Sequence, residues 1–242
     1  MVRHHEYAQH FLQSPRLVGE LIGHSNIRKN DIVYDLGAGS GIISTMLAKR
    51  CKQVVAVEVE RDALRKLREN TKRYENVKIV ESDILQLVIP DEPYKIFANI
   101  PFDISSAVVR KFTAVQNPPK SMYLIAQRQF ARKLVPGSDH FTSQLAAIIG
   151  PWFSVKIRRP LKKTDFTPPP AVDTVLLEIK RREEPMIVRT EFARYEEFIS
   201  RCFSEQKYFT SLPRDKAGIS PELRPSQLTL EQCVALYATM KG

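Results

Sequence analysis

The stretch Asp31-Ile-Val-Tyr-Asp-Leu-Gly37-Ala-Gly-Ser-Gly41 decides the fold of this chain. Its first half is a short, β-branched apolar run, which predicts a buried strand, and three alternating glycines follow it. Apolar residues then recur at helical spacing, at Ile42, Ile43, Met46 and Leu47. A strand, a glycine loop and a helix in this order form the first unit of a nucleotide-binding α/β fold, because glycines let the backbone approach a ligand closely.

Two further strands and an intervening helix extend this unit. The strands are predicted over Gln53 to Val59 and Val77 to Glu81, and a charged helix runs from Arg61 to about Tyr74. Each strand brings an acid to its carboxyl end, Glu58 in the first and Asp83 just beyond the second. We expect Glu58 to accept the hydroxyls of a ribose and Asp83 to accept the amine of an adenine.

The next strand, Tyr94 to Ala98, leads into Asn99-Ile-Pro-Phe102. Asn99 can point an acceptor oxygen into a cleft, Pro101 restricts the backbone, and Phe102 offers a flat face. The set suits a planar base that carries an exocyclic amine. An ordinary Asn-x-Pro turn between a strand and a helix would have the same sequence, so the loop by itself leaves both interpretations open. In a parallel sheet, four groups would meet at the carboxyl ends of the strands: Gly37, Glu58, Asp83 and Asn99.

The glycine pattern distinguishes between two cofactor classes. The dinucleotide fingerprint G-x-G-x-x-G would require glycine at position 42, where Ile42 stands. The sequence here is instead Asp35-x-Gly37-x-Gly39-x-Gly41. An early acid and a tighter loop favour a nucleoside that carries an amino acid and no phosphate. The pattern therefore favours S-adenosylmethionine over a nicotinamide dinucleotide.

The net charge of +10 is concentrated in the middle of the 242-residue chain. Residues 110 to 163 contain 11 Lys and Arg and a single acid, Asp139, whereas the two flanks are nearly neutral. A basic run is often only a solvated surface. Because this one directly follows the candidate base pocket, it also fits a surface that holds nucleic-acid phosphates.

Composition excludes several classes of protein. The chain is 43% hydrophobic, with no apolar run of about 18 residues and no apolar segment of the signal-peptide type after Met1. We therefore expect a soluble, cytoplasmic protein that does not bind membranes, and we expect it to be a monomer. Its cysteines, Cys51, Cys202 and Cys233, lack metal-ligand spacing, so we expect packed, reduced thiols and no metal.

The domain prediction is a catalytic domain over residues 1–182 and a small helical domain over 183–242. After Glu183-Glu184-Pro185, two apolar stripes recur at helical spacing. One runs from Phe192 to Phe203 and the other from Leu230 to Met240. We expect their aromatic side chains to form a core rather than a binding surface.

Ordered motifs resemble those of the rRNA adenine N6-methyltransferases. They are Gln9-His-Phe-Leu12, Asp35-Leu-Gly-Ala-Gly-Ser-Gly41, Glu58, Ser82-Asp83, Asn99-Ile-Pro-Phe102-Asp-Ile-Ser105 and Asp165-Phe-Thr-Pro-Pro-Pro-Ala-Val-Asp173. That family includes the Erm enzymes, which confer resistance to macrolides, lincosamides and streptogramin B, and the small-subunit dimethyladenosine transferases. Ile100 and the short tail resemble the Erm branch. The fold implied is a Rossmann-like, S-adenosylmethionine-dependent methyltransferase domain with a small C-terminal α-helical domain.

The resemblance also implies roles for individual residues. Donor binding is implied for His10, Leu12, Gly37, Gly39, Glu58, Asp83, Ile84 and Asn99. Roles in catalysis or base capture are implied for Asn99, Ile100, Pro101, Phe102 and Phe166, with Phe166 closing over the adenine. RNA binding is implied for Arg110, Arg132 and Lys133, and the helical tail is expected to help seat the RNA. His10 departs from the family, which has asparagine there, so we expect altered donor affinity or pH dependence.

The function implied is transfer of a methyl group from S-adenosylmethionine to the N6 amine of an adenine. The expected substrate is 23S rRNA before ribosome assembly is complete, and the expected outcome is macrolide-lincosamide-streptogramin B resistance. Two alternatives stay open: a 16S-type rRNA dimethyladenosine transferase, and a non-catalytic nucleic-acid-binding relative of the fold. The presence of Gly37, Glu58, Asp83 and Asn99 argues against the last of these.

Overall fold

The computed structural model describes residues 10–136 and 141–240, so Gln9 of the first motif and Asp139 of the basic segment lie outside the described residues. The strands are β1 (Phe11–Leu12), β2 (Ile32–Leu36), β3 (Gln53–Glu58), β4 (Val77–Glu81), β5 (Lys95–Ala98), β6 (Ser121–Gln127), β7 (Phe153–Leu161), β8 (Phe166–Thr167) and β9 (Thr174–Arg181). The helices are α1 (Pro15–Gly23), α2 (Ile42–Ala48), α3 (Arg61–Thr71), α4 (Ser105–Ala114), α5 (Arg128–Leu134), α6 (Gln144–Ile149), α7 (Phe192–Ser204), α8 (Gln206–Ser211) and α9 (Leu230–Ala238).

Seven strands form one sheet in the order β4-β3-β2-β5-β6-β9-β7. The five strands from β4 to β6 pair in parallel, with Asp35 of β2 opposite Ala56 of β3 and Tyr34 opposite Ile96 of β5. The chain first moves outward from β2 to β4 and then returns to place β5 on the other side of β2. This reversal between β2 and β5 is the topological switch point, where open α/β sheets bind their ligands.

The predicted elements around the switch point form for local reasons. Ser14 caps α1 by accepting a hydrogen bond from the N–H of Leu17 at 3.3 Å, and Pro15 takes the first helical position. Every residue of β2 and β5 is buried, which agrees with their mostly apolar sequences, and the buried residues include the charged Asp35 of β2 and Lys95 of β5. These observations confirm the predicted α/β fold around the glycine loop.

The glycine loop between β2 and α2 requires its glycines. Gly37, Gly39 and Gly41 all have positive φ, at +68°, +56° and +91°. A Cβ atom on Gly41 would also lie 2.7 Å from Cδ1 of Leu67 on α3. The sequence of this loop is therefore set by backbone conformation and by packing, as well as by any ligand.

A second, two-stranded sheet was not predicted from the sequence. It pairs β1 with β8 in antiparallel fashion, with Phe11 opposite Thr167 and Leu12 opposite Phe166. The N–H of Gln13 extends the contact by donating to the carbonyl of Asp165 at 3.2 Å. This pairing joins the first and last of the family-like motifs, which are far apart in the sequence.

The chain divides into two compact units, residues 1–128 with 157–178 and residues 129–156 with 179–242. The predicted boundary between 182 and 183 differs from this division, because residues 129–156 belong to the unit that contains the tail. In that unit, Trp152 contacts the rings of Phe192 and Tyr195 on α7 at centroid distances of 5.0 and 5.5 Å. The rings of Phe192, Tyr195, Phe198 and Tyr237 are buried, which confirms that the tail aromatics form a core.

No helix in 10–136 or 141–240 is long and apolar enough to cross a membrane. The same ranges contain no group of three or more His, Cys, Asp or Glu side chains that could hold a metal ion. All three cysteines are buried free thiols, and burial raises the pKa of the Cys51 thiol to about 11.

Candidate active site

The carboxylate of Glu58 lies against the glycine loop at the carboxyl end of β3. Its Oε2 accepts a hydrogen bond from the N–H of Gly39 at 2.8 Å. Its Oε1 accepts from the N–H groups of Val59 and Glu60 at 2.8 and 2.9 Å. Glu58 therefore connects the end of β3 to the glycine loop, and its side chain has a defined position before any ligand binds.

The acceptor capacity of Glu58 limits what it can bind. An ionised carboxylate has about four acceptor positions, and the backbone fills three of them. One position on Oε2 remains for a ligand hydroxyl. Accepting both hydroxyls of a ribose, as the sequence suggested, would require one backbone hydrogen bond to break.

Asp35, at the end of β2, is completely buried beneath the same loop. Its Oδ2 accepts a hydrogen bond from Oγ of Ser44 on α2 at 2.6 Å, and its Oδ1 has no hydrogen-bond partner among the described residues. Burial, with a smaller contribution from the negative charge of Glu58, raises the pKa of Asp35 to about 7, although the hydrogen bond from Ser44 opposes this. The carboxyl group therefore changes its charge near neutral pH.

Asp83 and Ile84 follow β4 at the next strand end. Asp83 is exposed, and its Oδ1 accepts a hydrogen bond from the N–H of Leu85 at 2.7 Å. Ile84 is buried, and its Cδ1 would lie 3.5 Å from a Cβ atom on Gly37. The structure thus places the apolar side chain of Ile84 next to the first glycine of the loop, and the exposed carboxylate of Asp83 comes one residue earlier in the chain.

The loop after β5 places the amide of Asn99 in one orientation. Its Nδ2 donates to the backbone carbonyl of His10 at 2.7 Å. Its Oδ1 has no hydrogen-bond partner within 10–136 and 141–240, and the same holds for the carbonyl of Ile100. The loop therefore carries two acceptor oxygens on consecutive residues, and Pro101 and the half-buried ring of Phe102 follow them in the sequence.

His10 connects two parts of the site. Its Nδ1 lies 2.7 Å from the backbone carbonyl of Pro168, just after β8. Its ring centroid lies 5.7 Å from that of Phe102, with an angle of 30° between the planes. The described contacts of the His10 side chain are thus with the Asn99–Phe102 loop and the segment after β8.

The aromatic residues of the site divide into exposed and buried groups. Phe11 is 47% exposed, and its Cε1 would lie 3.5 Å from a Cβ atom on Gly39, so its ring stands next to the glycine loop. Phe166, which we expected to close over an adenine, is only 1% exposed and lies in the core with Leu12. Because β8 pairs with β1, the ring of Phe166 packs in the core with Leu12, and both side chains are buried.

The three basic residues expected to bind RNA are all exposed. Arg110 lies on α4, in the unit that contains the glycine loop. Arg132 and Lys133 lie in the last turn of α5, in the other unit. The aromatic side chains among the basic residues include Tyr123 and Trp152, which are buried and belong to the core.

The sequence profile of the ribosomal RNA adenine dimethylases matches residues 2–211, which is most of the chain. The chain belongs to the ribosomal RNA adenine dimethylase family. This confirms the resemblance seen in the motifs and the predicted enzyme class, an S-adenosylmethionine-dependent rRNA adenine methyltransferase.

Individual relatives carry two kinds of name. The rRNA adenine N-6-methyltransferase of Bacillus licheniformis is 27% identical over 96% of this chain and 85% of its own length. The enzyme of that name from Lysinibacillus sphaericus is 29% identical over 97% and 95%. A ribosomal RNA small subunit methyltransferase A of Dehalococcoides mccartyi is 32% identical over 71% of this chain and 60% of its own length.

Solved structures agree with the fold described above. The 23S rRNA methyltransferase ErmE superposes with a TM-score of 0.82 at 25% identity, covering 96% of this chain and all of that one. A dimethyladenosine transferase from Plasmodium falciparum superposes with a TM-score of 0.80 at 20% identity, covering 96% and 98%. Both likenesses extend beyond the sheet to nearly the whole chain.

The residues of this family member suit S-adenosylmethionine chemically. Gly37 and Gly39 have positive φ, which favours glycine, and a Cβ atom on either would lie in ordinary van der Waals contact with Ile84 or Phe11 at 3.5 Å. Glu58 retains one acceptor position for a hydroxyl, and Asp83 offers an exposed carboxylate near an apolar side chain. A ribose hydroxyl and an adenine amine find acceptors in this set, and the side chain of Ile84 offers an apolar surface to the base.

Sequence reasoning missed two residues of the site. Ser44 holds the buried carboxyl of Asp35, and Phe11 places an exposed ring beside Gly39. Ser44 carried no signal, since it sits in an ordinary apolar helical pattern. Phe11 lay inside a quoted motif, between His10 and Leu12, and that position next to two residues with an implied role in donor binding could have drawn attention to it.

Proposed function

We propose that this protein transfers a methyl group from S-adenosylmethionine to the N6 amine of an adenine in 23S rRNA and so confers macrolide-lincosamide-streptogramin B resistance. The observation that supports it most is the orientation of Asn99, whose amide nitrogen is bound to His10 and whose oxygen is left as an acceptor. This acceptor stands at the switch point of the sheet, after the strand that neighbours the glycine loop. An acceptor in that place suits a substrate with an N–H group.

We propose that the donor is held by the glycine loop and the neighbouring strand ends. Glu58 accepts a ribose hydroxyl through Oε2, and Asp83 accepts the adenine amine of the donor. Ile84 packs against its base, while Gly37 and Gly39 leave space for the amino-acid end. The bound donor supplies a methyl group already activated on a sulfonium, so the protein needs no strong base.

The target adenine is bound by the loop after β5. Its N6 amine is a poor nucleophile because the nitrogen lone pair is delocalised into the ring. The side-chain oxygen of Asn99 and the backbone carbonyl of Ile100 accept its two N–H groups, which favours a tetrahedral nitrogen and directs the lone pair toward the methyl group. Phe102 stacks on the base, which must be unstacked from its helix first. The amine proton leaves to solvent after transfer.

RNA phosphates are bound by exposed basic residues of both units. We propose Arg110 on α4 and the pair Arg132 and Lys133 on α5, because arginine and lysine on a surface attract phosphates at a distance and release counterions on contact. The substrate in this proposal is naked rRNA, in which the target nucleotide is accessible.

Preference for the large-subunit RNA is supported by two observations. Ile100 resembles the Asn-Ile-Pro loop of the Erm branch. The structure of the 23S rRNA methyltransferase ErmE also covers 96% of this chain with a TM-score of 0.82. A 16S-type enzyme is the second candidate, favoured by the D. mccartyi small-subunit relative at 32% identity over 71% of the chain.

The test incubates the protein with radiolabelled methyl donor and either naked 23S or naked 16S rRNA, followed by primer extension to map the methylated position. Label at one adenine of 23S rRNA is the expected result. Label in 16S rRNA alone would assign the small-subunit function, and label in neither would leave a non-catalytic nucleic-acid-binding protein. Expression in a macrolide-sensitive bacterium should then raise the tolerated macrolide concentration for the wild type and not for Asn99→Ala.

A further inference from the structure

A short turn after β4, residues 83–86, presents Asp83 to the proposed donor site. We call it the Asp83 turn. Oδ1 of Asp83 accepts a hydrogen bond from the N–H of Leu85 at 2.7 Å, and its backbone carbonyl accepts from the N–H of Gln86 at 3.0 Å. Its Oδ2 has no hydrogen-bond partner in 10–136 or 141–240. The position of Leu85 therefore sets the orientation of the carboxylate, and Oδ2 is the oxygen left for a ligand amine.

Lys111 of α4 binds the other side of the same residue. Its Nζ donates to the backbone carbonyl of Leu85 at 3.0 Å. No acid among the described residues forms an ion pair with this ammonium, so the carbonyl is its polar partner. A cation at the last carbonyl of a turn is favourable, because that oxygen carries a partial negative charge. Leu85 is thus fixed at its N–H by Asp83 and at its carbonyl by Lys111.

The helix that carries Lys111 has a position set by packing. Val108, Val109 and Phe112 of α4 are completely buried, and the side chain of Lys111 is half-buried. The helix and the Asp83 turn belong to the same compact unit. The ammonium of Lys111 therefore holds a short, largely exposed turn against a fixed element, which a turn of four residues cannot supply for itself.

We infer that Lys111 is a positioning residue for the adenine of the methyl donor, which orients the carboxylate of Asp83 through the carbonyl and N–H of Leu85. It acts on the donor side of α4, in contrast to its neighbour Arg110, which we assign to RNA phosphate. Loss of the ammonium frees the Leu85 carbonyl, and the N–H that aligns Asp83 moves with it. This inference rests on the proposed function, because the assignment of Asp83 to the adenine amine belongs to that proposal.

The test combines three substitutions with two ligands. Lys111→Met keeps the apolar stem and removes the ammonium, Lys111→Arg keeps a cationic donor, and Lys120→Met at an exposed position is the matched control. The ligands are S-adenosylhomocysteine and its analogue with purine in place of adenine, which lacks the exocyclic amine. Calorimetry should show that Lys111→Met weakens binding of S-adenosylhomocysteine about fivefold, the scale of one lost hydrogen bond, and leaves binding of the purine analogue unchanged.

The other variants and the kinetics give further expected results. Lys111→Arg should recover most of the lost affinity, and Lys120→Met should behave as the wild type. In methylation assays, Lys111→Met should raise KM for S-adenosylmethionine and leave KM for rRNA unchanged, because the RNA contacts of α4 are intact. If Lys111→Met does not fold, Lys111→Gln, which is neutral and shorter, replaces it.

A readout without ligand keeps the inference separate from the proposed function. Backbone hydrogen exchange at Leu85 and Gln86 should be faster in Lys111→Met than in Lys111→Arg or Lys120→Met. If the wild type binds both ligands equally, the assignment of Asp83 to the adenine amine fails. The exchange comparison then still decides whether Lys111 holds the Asp83 turn.

Three results would overturn the inference. Equal exchange at Leu85 and Gln86 in Lys111→Met and the wild type would show that the ammonium does not order the turn. The same loss of affinity for both ligands would show that the effect does not pass through Asp83. A raised KM for rRNA with unchanged donor affinity would make Lys111 an RNA ligand.

Discussion

Replacing Glu58 by alanine tests how this enzyme holds its methyl donor. The side chain is 7% exposed, and its carboxylate accepts three backbone N–H groups, from Gly39, Val59 and Glu60, at 2.8, 2.8 and 2.9 Å. A donor ribose can therefore add one hydrogen bond without disturbing the loop. The substitution removes this bond and also takes this acceptor away from the N–H groups of Gly39, Val59 and Glu60.

The expected loss of donor affinity follows from that single bond. A hydrogen bond to a charged group contributes about 1.5–3 kcal/mol, which corresponds to roughly a 10- to 150-fold increase in Kd. Release of the Gly39 N–H loosens the glycine loop, so we expect a value toward the upper end of this range. Glu58→Gln should fall between the wild type and Glu58→Ala, because its one oxygen can serve either the backbone or the ribose.

Calorimetric titration with S-adenosylmethionine and with S-adenosylhomocysteine measures the effect. Glu60→Ala is the matched control, since it removes a neighbouring carboxylate that accepts N–H groups of Asp62 and Ala63 at 3.0 and 2.6 Å and caps α3. That control should lower helix stability and leave donor affinity unchanged. Normal donor affinity in folded Glu58→Ala would refute the ribose assignment, and an equal loss in Glu60→Ala would show that the effect is not specific to Glu58.

Three further results are expected. Asn99→Ala should reduce kcat about 10²-fold, as expected for loss of one preorganised polar group, with donor affinity unchanged in calorimetry. Arg132→Ala combined with Lys133→Ala should lower the slope of log Kd for rRNA against log salt concentration by about two, measured by filter binding. Asp35→Asn should change the pH dependence of stability. Because the pKa of the Asp35 carboxyl is raised to about 7 in the folded state, this group stabilises the fold fully only below its unfolded pKa of 3.8, and the stabilisation is lost as the pH rises through 7. Urea unfolding should therefore show that the free energy of unfolding of the variant increases relative to that of the wild type between pH 4 and 8.

Each of these results has a control or an outcome that contradicts it. Methylation of rRNA by Asn99→Ala at the wild-type rate would mean that the loop is only a turn. For the salt slope, Arg65→Ala with Lys66→Ala on the exposed face of α3 is the matched pair and should leave the slope unchanged. An unchanged slope in the Arg132 and Lys133 variant would place that pair off the RNA path. Parallel stability curves for Asp35→Asn and the wild type would show that Asp35 does not titrate in this range.

Local sequence was enough to predict the elements that carry the donor site. The strand from Ile32 to Leu36, the loop from Gly37 to Gly41 and the helix α2 follow from β-branching, glycine content and apolar spacing. The strand β4 begins and ends where predicted, at Val77 and Glu81, and α7 and α9 coincide with the two apolar stripes of the tail. These features depend on neighbours within one or two turns, so the sequence contains the information.

Tertiary structure alone decided how the groups of the site are used. The pairing of Phe11 with Thr167, the bond from Asn99 to His10 and the three backbone partners of Glu58 join residues on different elements or on a loop whose path has no periodic signal. The burial of Phe166 follows from the same pairing, because β8 turns that ring into the core. Sequence periodicity reports which face of an element is apolar. It does not report which distant backbone atom that element contacts, and these contacts determine the orientation of the acceptors at the proposed methyl-transfer site.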